Sequence, residues 1–213
     1  MEAVKEFSVG MALVDFIPVI LFGIAAVLLQ RDLYNKMSKG AFALFAAGTI
    51  DVLCAGALKA LYKLLYAMNV CDFTPLDAMF FPVQSIGFLL AGIGVVAMVV
   101  HKQGETMPAL LAPAAFSGTF VFVSLMILGL GGINFGMIPL AKKLKKPLAI
   151  VLLVLSFALC LGMGYLSSKN FEKASMNWIA EGVNVAGQLC FLGAALVMHK
   201  AGLKDLRLER KQK

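Results

Sequence analysis

Six long apolar runs constrain this chain more than any other feature. They cover Phe7 to Gln30, Gly40 to Leu58, Ala78 to Val100, Thr106 to Ala141, Pro147 to Ser168 and Ala174 to Met198, and the only acids inside them are Asp15, Asp51 and Glu181. Each run is long enough to cross a hydrocarbon core of about 30 Å as a helix. Composition agrees: 15% of residues are charged and 61% are hydrophobic, with a mean hydropathy of +0.88, whereas a soluble domain carries roughly 25% charged residues. The sequence therefore predicts an all-α polytopic membrane bundle of about six transmembrane helices. It reads as a single transmembrane domain over 1–213, with no room for a separate soluble one.

The net charge of +7 raises the question of nucleic acid. The basic residues fall between the apolar runs and at the C-terminus rather than on one folded face, so they read as topology signals and contacts to lipid headgroups. In a six-span layout Lys142, Lys143, Lys145 and Lys146 share a side with the tail of residues 200–213 and with Lys5, Lys59 and Lys63. Arg31, Lys36, Lys39, Lys102, Lys169 and Lys173 lie opposite. The richer side is cytoplasmic. Both termini are then expected in the cytoplasm, in a plasma or inner membrane, with the basic tail meeting anionic headgroups through charge. Met1 to Phe7 holds Glu2, Lys5 and Glu6, which is no basic signal-peptide start, so the first run is expected to stay as a span. Cys54, Cys71, Cys160 and Cys190 form no C-x-x-C pair, and all but Cys71 fall in apolar runs, as buried small hydrophobes do.

Local signals refine the spans. Thr74-Pro75, followed by Asp77, reads as the start of the third helix. The second span is expected to continue as an amphipathic stem, because Lys59 and Lys63, like Tyr62 and Tyr66, are four apart and the lysines can snorkel to the interface. The fourth run is too long for one plain helix. Its middle, Phe120 to Ser124, offers no turn chemistry, so it reads as one long or broken helix, with Gly129 to Gly136 either a break exposing carbonyls or a packing face. Leu53-Cys54-Ala55-Gly56 echoes Leu159-Cys160-Leu161-Gly162, and His101-Lys102 echoes His199-Lys200. The echo is either chance or the trace of two three-span halves, 7–101 and 106–199. Odd-span halves joined in sequence would form a 3+3 inverted repeat.

Chemistry is expected where polar residues sit inside spans. Asn177, Glu181, Asn184 and Gln188 recur at helical spacing and share one face, which must point into the bundle because an acid in lipid costs about 2.5 to 3.5 kcal/mol or more. Trp178 reads as an interface anchor. Asp51 lies mid-span on a face of small residues, Asp15 precedes Pro18 near one end, and Gln84 sits at a depth that loosely matches Glu181. With three embedded acids and no deep Lys or Arg, these positions are read as unpaired acids, which take up protons or attract a cation. The candidate substrate-binding or proton-coupling set is Glu181, Asn184, Gln188, Asn177, Asp51, Gln84 and Asp15. No H-E-x-x-H, G-x-S-x-G or P-loop is present, and His101 and His199 fall on opposite sides of a six-span layout. The sequence thus favours a small secondary transporter, or transporter-like membrane binding protein, for a small polar or cationic solute with proton coupling. It needs no cofactor or metal, has no nucleic-acid partner, and leaves room for a homo-oligomer or a membrane partner. The alternatives are a membrane-embedded signalling or partner subunit, and an intramembrane enzyme using carboxylates.

Overall fold

Two prolines decide how the first and third spans are built. The computed structural model describes residues 8–100, 119–167 and 174–207. The first span is α1 (Val9–Val14) joined to α2 (Phe16–Leu33), with Ser8 capping the start by accepting the Met11 N–H at 3.2 Å. The joint falls on Asp15. Pro18 has no N–H for the Val14 carbonyl and its ring crowds that group, which loosens the turn there. The third span repeats the device: α4 (Thr74–Ala78) meets α5 (Phe80–Val100) at Met79, just ahead of Pro82. Its start carries Pro75 and Asp77 in the first turn, as the sequence predicts. Between these spans, α3 (Lys39–Ala67) is capped by Ser38 and runs 29 residues without a break, so the expected stem belongs to the same helix. Then come α6 (Thr119–Lys143), α7 (Pro147–Ser167), α8 (Ala174–Lys200) and a short 3-10 turn at Leu203–Asp205.

Five helical spans among the described residues are long and apolar enough to cross a membrane, and α7 adds a shorter apolar stretch, Pro147–Met163. What they expose is compatible with the same solvent. Leu13, Ile17, Ile20, Ile24 and Val27 form an exposed apolar stripe down α1 and α2. In water such a stripe would be an aggregation site; in lipid it is the expected surface. Cys54 is exposed and Cys160 and Cys190 are half-buried, so the expected burial of the apolar-run cysteines does not hold. An apolar surrounding of lipid makes burial unnecessary.

Glycine contacts fix the helix directions. α3 and α5 are antiparallel: Gly48 abuts Gly87 and Ala91, while Gly94 abuts Ala41 and Phe45. α5 and α6 are parallel, because Gly129 faces Phe88 and Leu89, Gly132 faces Gly92, and Gly136 faces Val95. α7 and α8 are antiparallel, with Gly187 near Ser156 to Cys160 and Gly193 near Leu152. α2 and α8 are parallel: Phe22 stacks on Phe191 with centroids 6.0 Å apart, and Asp32 meets His199 at their far ends. Each helix packs on the next in sequence, and α8 closes the ring on α2.

One end of the bundle, the N-terminal end, gathers the starts of α1, α4, α6 and α8. The other, the C-terminal end, gathers the ends of α2, α5, α6 and α8. Ser8 and Lys200 therefore lie at opposite ends, and the expectation that both termini share a side does not fit the packing. Six alternating spans would separate Asp32 from His199, which are in contact. An inverted repeat would need α6 to run against α2, and it runs with it. The cause lies in the fourth run: α6 uses only its part from Thr119 onward, and residues 101–118, outside the described ones, join Val100 at one end to Thr119 at the other. The Gly-rich stretch is no break either. It is continuous helix, Gly129, Gly132 and Gly136 face α5 while Gly131 faces Phe157 of α7, and Asn134 donates to the Leu130 carbonyl at 2.9 Å.

The 3-10 turn is held down at the C-terminal end. Leu203 is fully buried, and the Lys36 ammonium donates to the carbonyls of Lys204 at 2.7 Å and Leu206 at 2.9 Å. Burial pushes Lys36 below the usual lysine range, while Asp205 and Asp32 oppose that shift. The tail thus starts with a defined shape. Residues 208–213, which carry the rest of its expected charge, lie outside the described ones.

Candidate functional site

The polar stripe of α8 faces inward, and what it meets comes from two other helices. Asn177 and Glu181 are buried, Asn184 Nδ2 lies 3.5 Å from Glu181 Oε1, and Gln188 is half-buried a turn further on. The α1–α2 joint holds Asp15, 6% exposed, at the same level. The α3 stem returns to that level and brings Lys63, whose ammonium pairs with Asp15 Oδ2.

Asp15 and Glu181 are close enough for their carboxyls to act on one another. Asp15 Oδ1 is buried without a hydrogen-bond partner. Around the pair, the Lys59 ammonium sits 3.8 Å from the centroid of the Phe80 ring and within electrostatic reach of Lys63, Asp77, Asp15 and Glu181. Two ammoniums thus face three carboxyls, and a single proton makes the cluster neutral.

This arrangement corrects two expectations. Lys59 and Lys63 do not snorkel; Lys63 is only 12% exposed at its side chain and turns inward to Asp15. The embedded acids are not all unpaired, because α3 continues far enough past Leu58 to supply that cation. Glu181 is the eighth residue of α8 and lies about 10 Å along the axis from the helix start. Of the sequence candidates, the structure gathers Asp15, Asn177, Glu181 and Asn184. Asp51 stands apart in the α3–α5 joint, half-buried with its Cβ near Gly87, and Gln84 is half-buried on α5.

A second polar group, which the sequence did not single out, ties the other end of the same helix pair. Asp32 is 1% exposed, and its Oδ2 lies 2.7 Å from His199 Nδ1. Arg31 Nη2 lies 2.9 Å from His199 Nε2. One signal could have found it: an acid in the last turn of a helix opposes the macrodipole, so Asp32 needed a partner. Comparison with known proteins finds no matching family model, no matching curated protein and no matching solved structure; the functional reading therefore rests on geometry.

Proposed function

We propose that this chain is a small proton-coupled secondary transporter, or a transporter-like membrane binding protein, for a small polar or cationic solute, with the Asp15–Glu181 pair as its proton-exchange site. The observation that carries this reading is that two buried acids, Asp15 and Glu181, share one level of the bundle beside Lys63. Loss of the neutralising proton leaves one uncompensated negative charge inside the bundle. A cationic group of a solute, or a returning proton, restores neutrality, which makes the two exchangeable. Asn177 and Asn184 border Glu181 and supply amides that both donate and accept.

We read the described spans as lying across the membrane with α2, α5, α6 and α8 running one way and α3 and α7 the other. Arg31, Lys36, Lys39, the four lysines from Lys142 to Lys146, Lys200, Lys204 and Arg207 all fall at the C-terminal end of the bundle. Only Lys59 and Lys63 lie toward the other end among the described residues. By the positive-inside rule the C-terminal end is cytoplasmic, against anionic headgroups, and the acid pair lies nearer the outer face. The echo between Leu53–Gly56 and Leu159–Gly162 then pairs α3 with α7, which run the same way. That favours a parallel repeat over an inverted one.

The test is solute-driven proton movement in proteoliposomes for wild type and Glu181→Gln. Gln keeps the size and the hydrogen bonds but cannot exchange a proton. The reading expects normal folded yield with coupling lost; unchanged coupling would remove Glu181 from the mechanism.

A further inference from the structure

We propose that the solute site is a polar compartment between the Asp15–Glu181 pair and an aromatic floor made by Phe22, Phe88 and Phe191, and that the solute it takes is a small organic cation with an apolar part. The inward stripes of four helices change character at one level. On α8, Glu181, Asn184 and Gln188 give way at helical spacing to the buried Phe191, Ala195 and Met198. On the first span Asp15 gives way to Phe22 and Leu29, and on α5 Gln84 gives way to Phe88 and Val95. α3 runs the other way, so Lys59 and Lys63 follow the buried Phe45 and Val52. Among the described residues, no member of the buried apolar cluster precedes Phe22 on α2, Phe88 on α5 or Phe191 on α8.

The three rings lie across the interior. Phe22 stacks on Phe191 and meets Phe88 edge-on, with both centroid distances 6.0 Å. α3 stands between α2 and α5 in the ring of helices, so the Phe22–Phe88 contact crosses the inside of the bundle and not an outer seam. An apolar constriction of this kind excludes water and ions. On its polar side, the half-buried amides of Gln84 and Gln188 come one turn before Phe88 and Phe191, and Asp15, 6% exposed, keeps its Oδ1 without a hydrogen-bond partner. Open polar atoms inside a membrane require a wet or ligand-filled space. Three carboxyls against two ammoniums leave that space one negative charge, which selects a monovalent cation. The chain already uses the chemistry an organic ammonium would need: the Lys59 ammonium lies 3.8 Å from the Phe80 ring centroid, held between an aromatic face and the acids.

The cation class rests on the transport reading, whereas the compartment and its floor do not; the test reads access and charge preference without a flux, so either can fail alone. The full-length chain in nanodiscs, which leave both faces open, carries serine at its four cysteines and a single new cysteine in turn at Gln188, Ala195 and the exposed Val70. Each variant is treated with a trimethylammonium methanethiosulfonate and with its sulfonate counterpart. Gln188→Cys is expected to react, with a preference for the trimethylammonium reagent roughly tenfold or more above that of Val70→Cys. Adding Asp15→Asn and Glu181→Gln should abolish that excess. Ala195→Cys, one turn beyond the rings, is expected to stay unreactive. A Gln188→Cys that neither reagent reaches, an excess below twofold, or an Ala195→Cys that reacts as fast as Gln188→Cys overturns the proposal. Gln84→Cys repeats the first arm from another helix should Gln188→Cys fail to fold.

Discussion

The seam joining α3, α5 and α6 is closed by backbone, whereas the seam between α2 and α8 is closed by side chains. Along the first, Gly48, Gly87, Gly92 and Gly129 let helices approach until backbone meets backbone. Along the second, Phe22 stacks on Phe191 midway, and the ends are tied by Asp15 with Glu181 and by Asp32 with His199. The first seam has a single tight register. The second holds a polar tie at each end, so half of the ring is closed by backbone packing and the other half by polar side chains.

The largest effect expected is on the first seam. A side chain at Gly129 would fall on the backbone of Phe88 and Leu89, so Gly129→Leu should destabilise by about 3 kcal/mol, the upper end of overpacking costs, and leave little folded protein in a thermal-unfolding assay. A mild effect there would mean that the seam yields and that the two halves do not differ as described.

Next in size is the outer tie. Lys63→Met strands the buried Asp15 charge and should cost about 3 kcal/mol. Adding Asp15→Asn removes the stranded charge and should recover most of that loss; a double variant no more stable than Lys63→Met would show that the two residues do not act as a pair. The smallest effect belongs to a neutral bond between α2 and α3. Gln30 donates to Thr49 Oγ at 2.8 Å, and Gln30→Leu should cost about 0.6 kcal/mol, the mean for interhelical bonds in membranes.

Much of this was legible in the sequence. The apolar runs gave the helices, Pro18 marked the Asp15 joint, and four polar residues at helical spacing marked the buried face of α8. Direction was not legible. The fourth run contains no turn chemistry, so nothing in it shows that the chain re-enters at the opposite end before Thr119. That one reversal changes the partner of every end-placed residue: it brings Asp15 to Glu181 and Asp32 to His199, and it moves the Arg31–Lys39 cations to the same end as the Lys142–Lys146 cluster. Lys63 was misread for a related reason. Its spacing from Lys59 fits a snorkelling pair equally well, and only the length of α3 past Leu58 places it beside Asp15.

Helix direction is the central claim, and labelling by a membrane-impermeant thiol reagent in intact cells tests it most directly. In a variant with its four native cysteines replaced by serine, single cysteines are placed at the exposed positions Asn35, Lys146 and Val70. The account predicts that Asn35→Cys and Lys146→Cys are both protected until the cells are permeabilised, while Val70→Cys reacts from outside. Alternating six-span topology places Asn35 and Lys146 on opposite sides, so labelling of one without the other would contradict the parallel packing of α2 with α8 and the acid pair that depends on it.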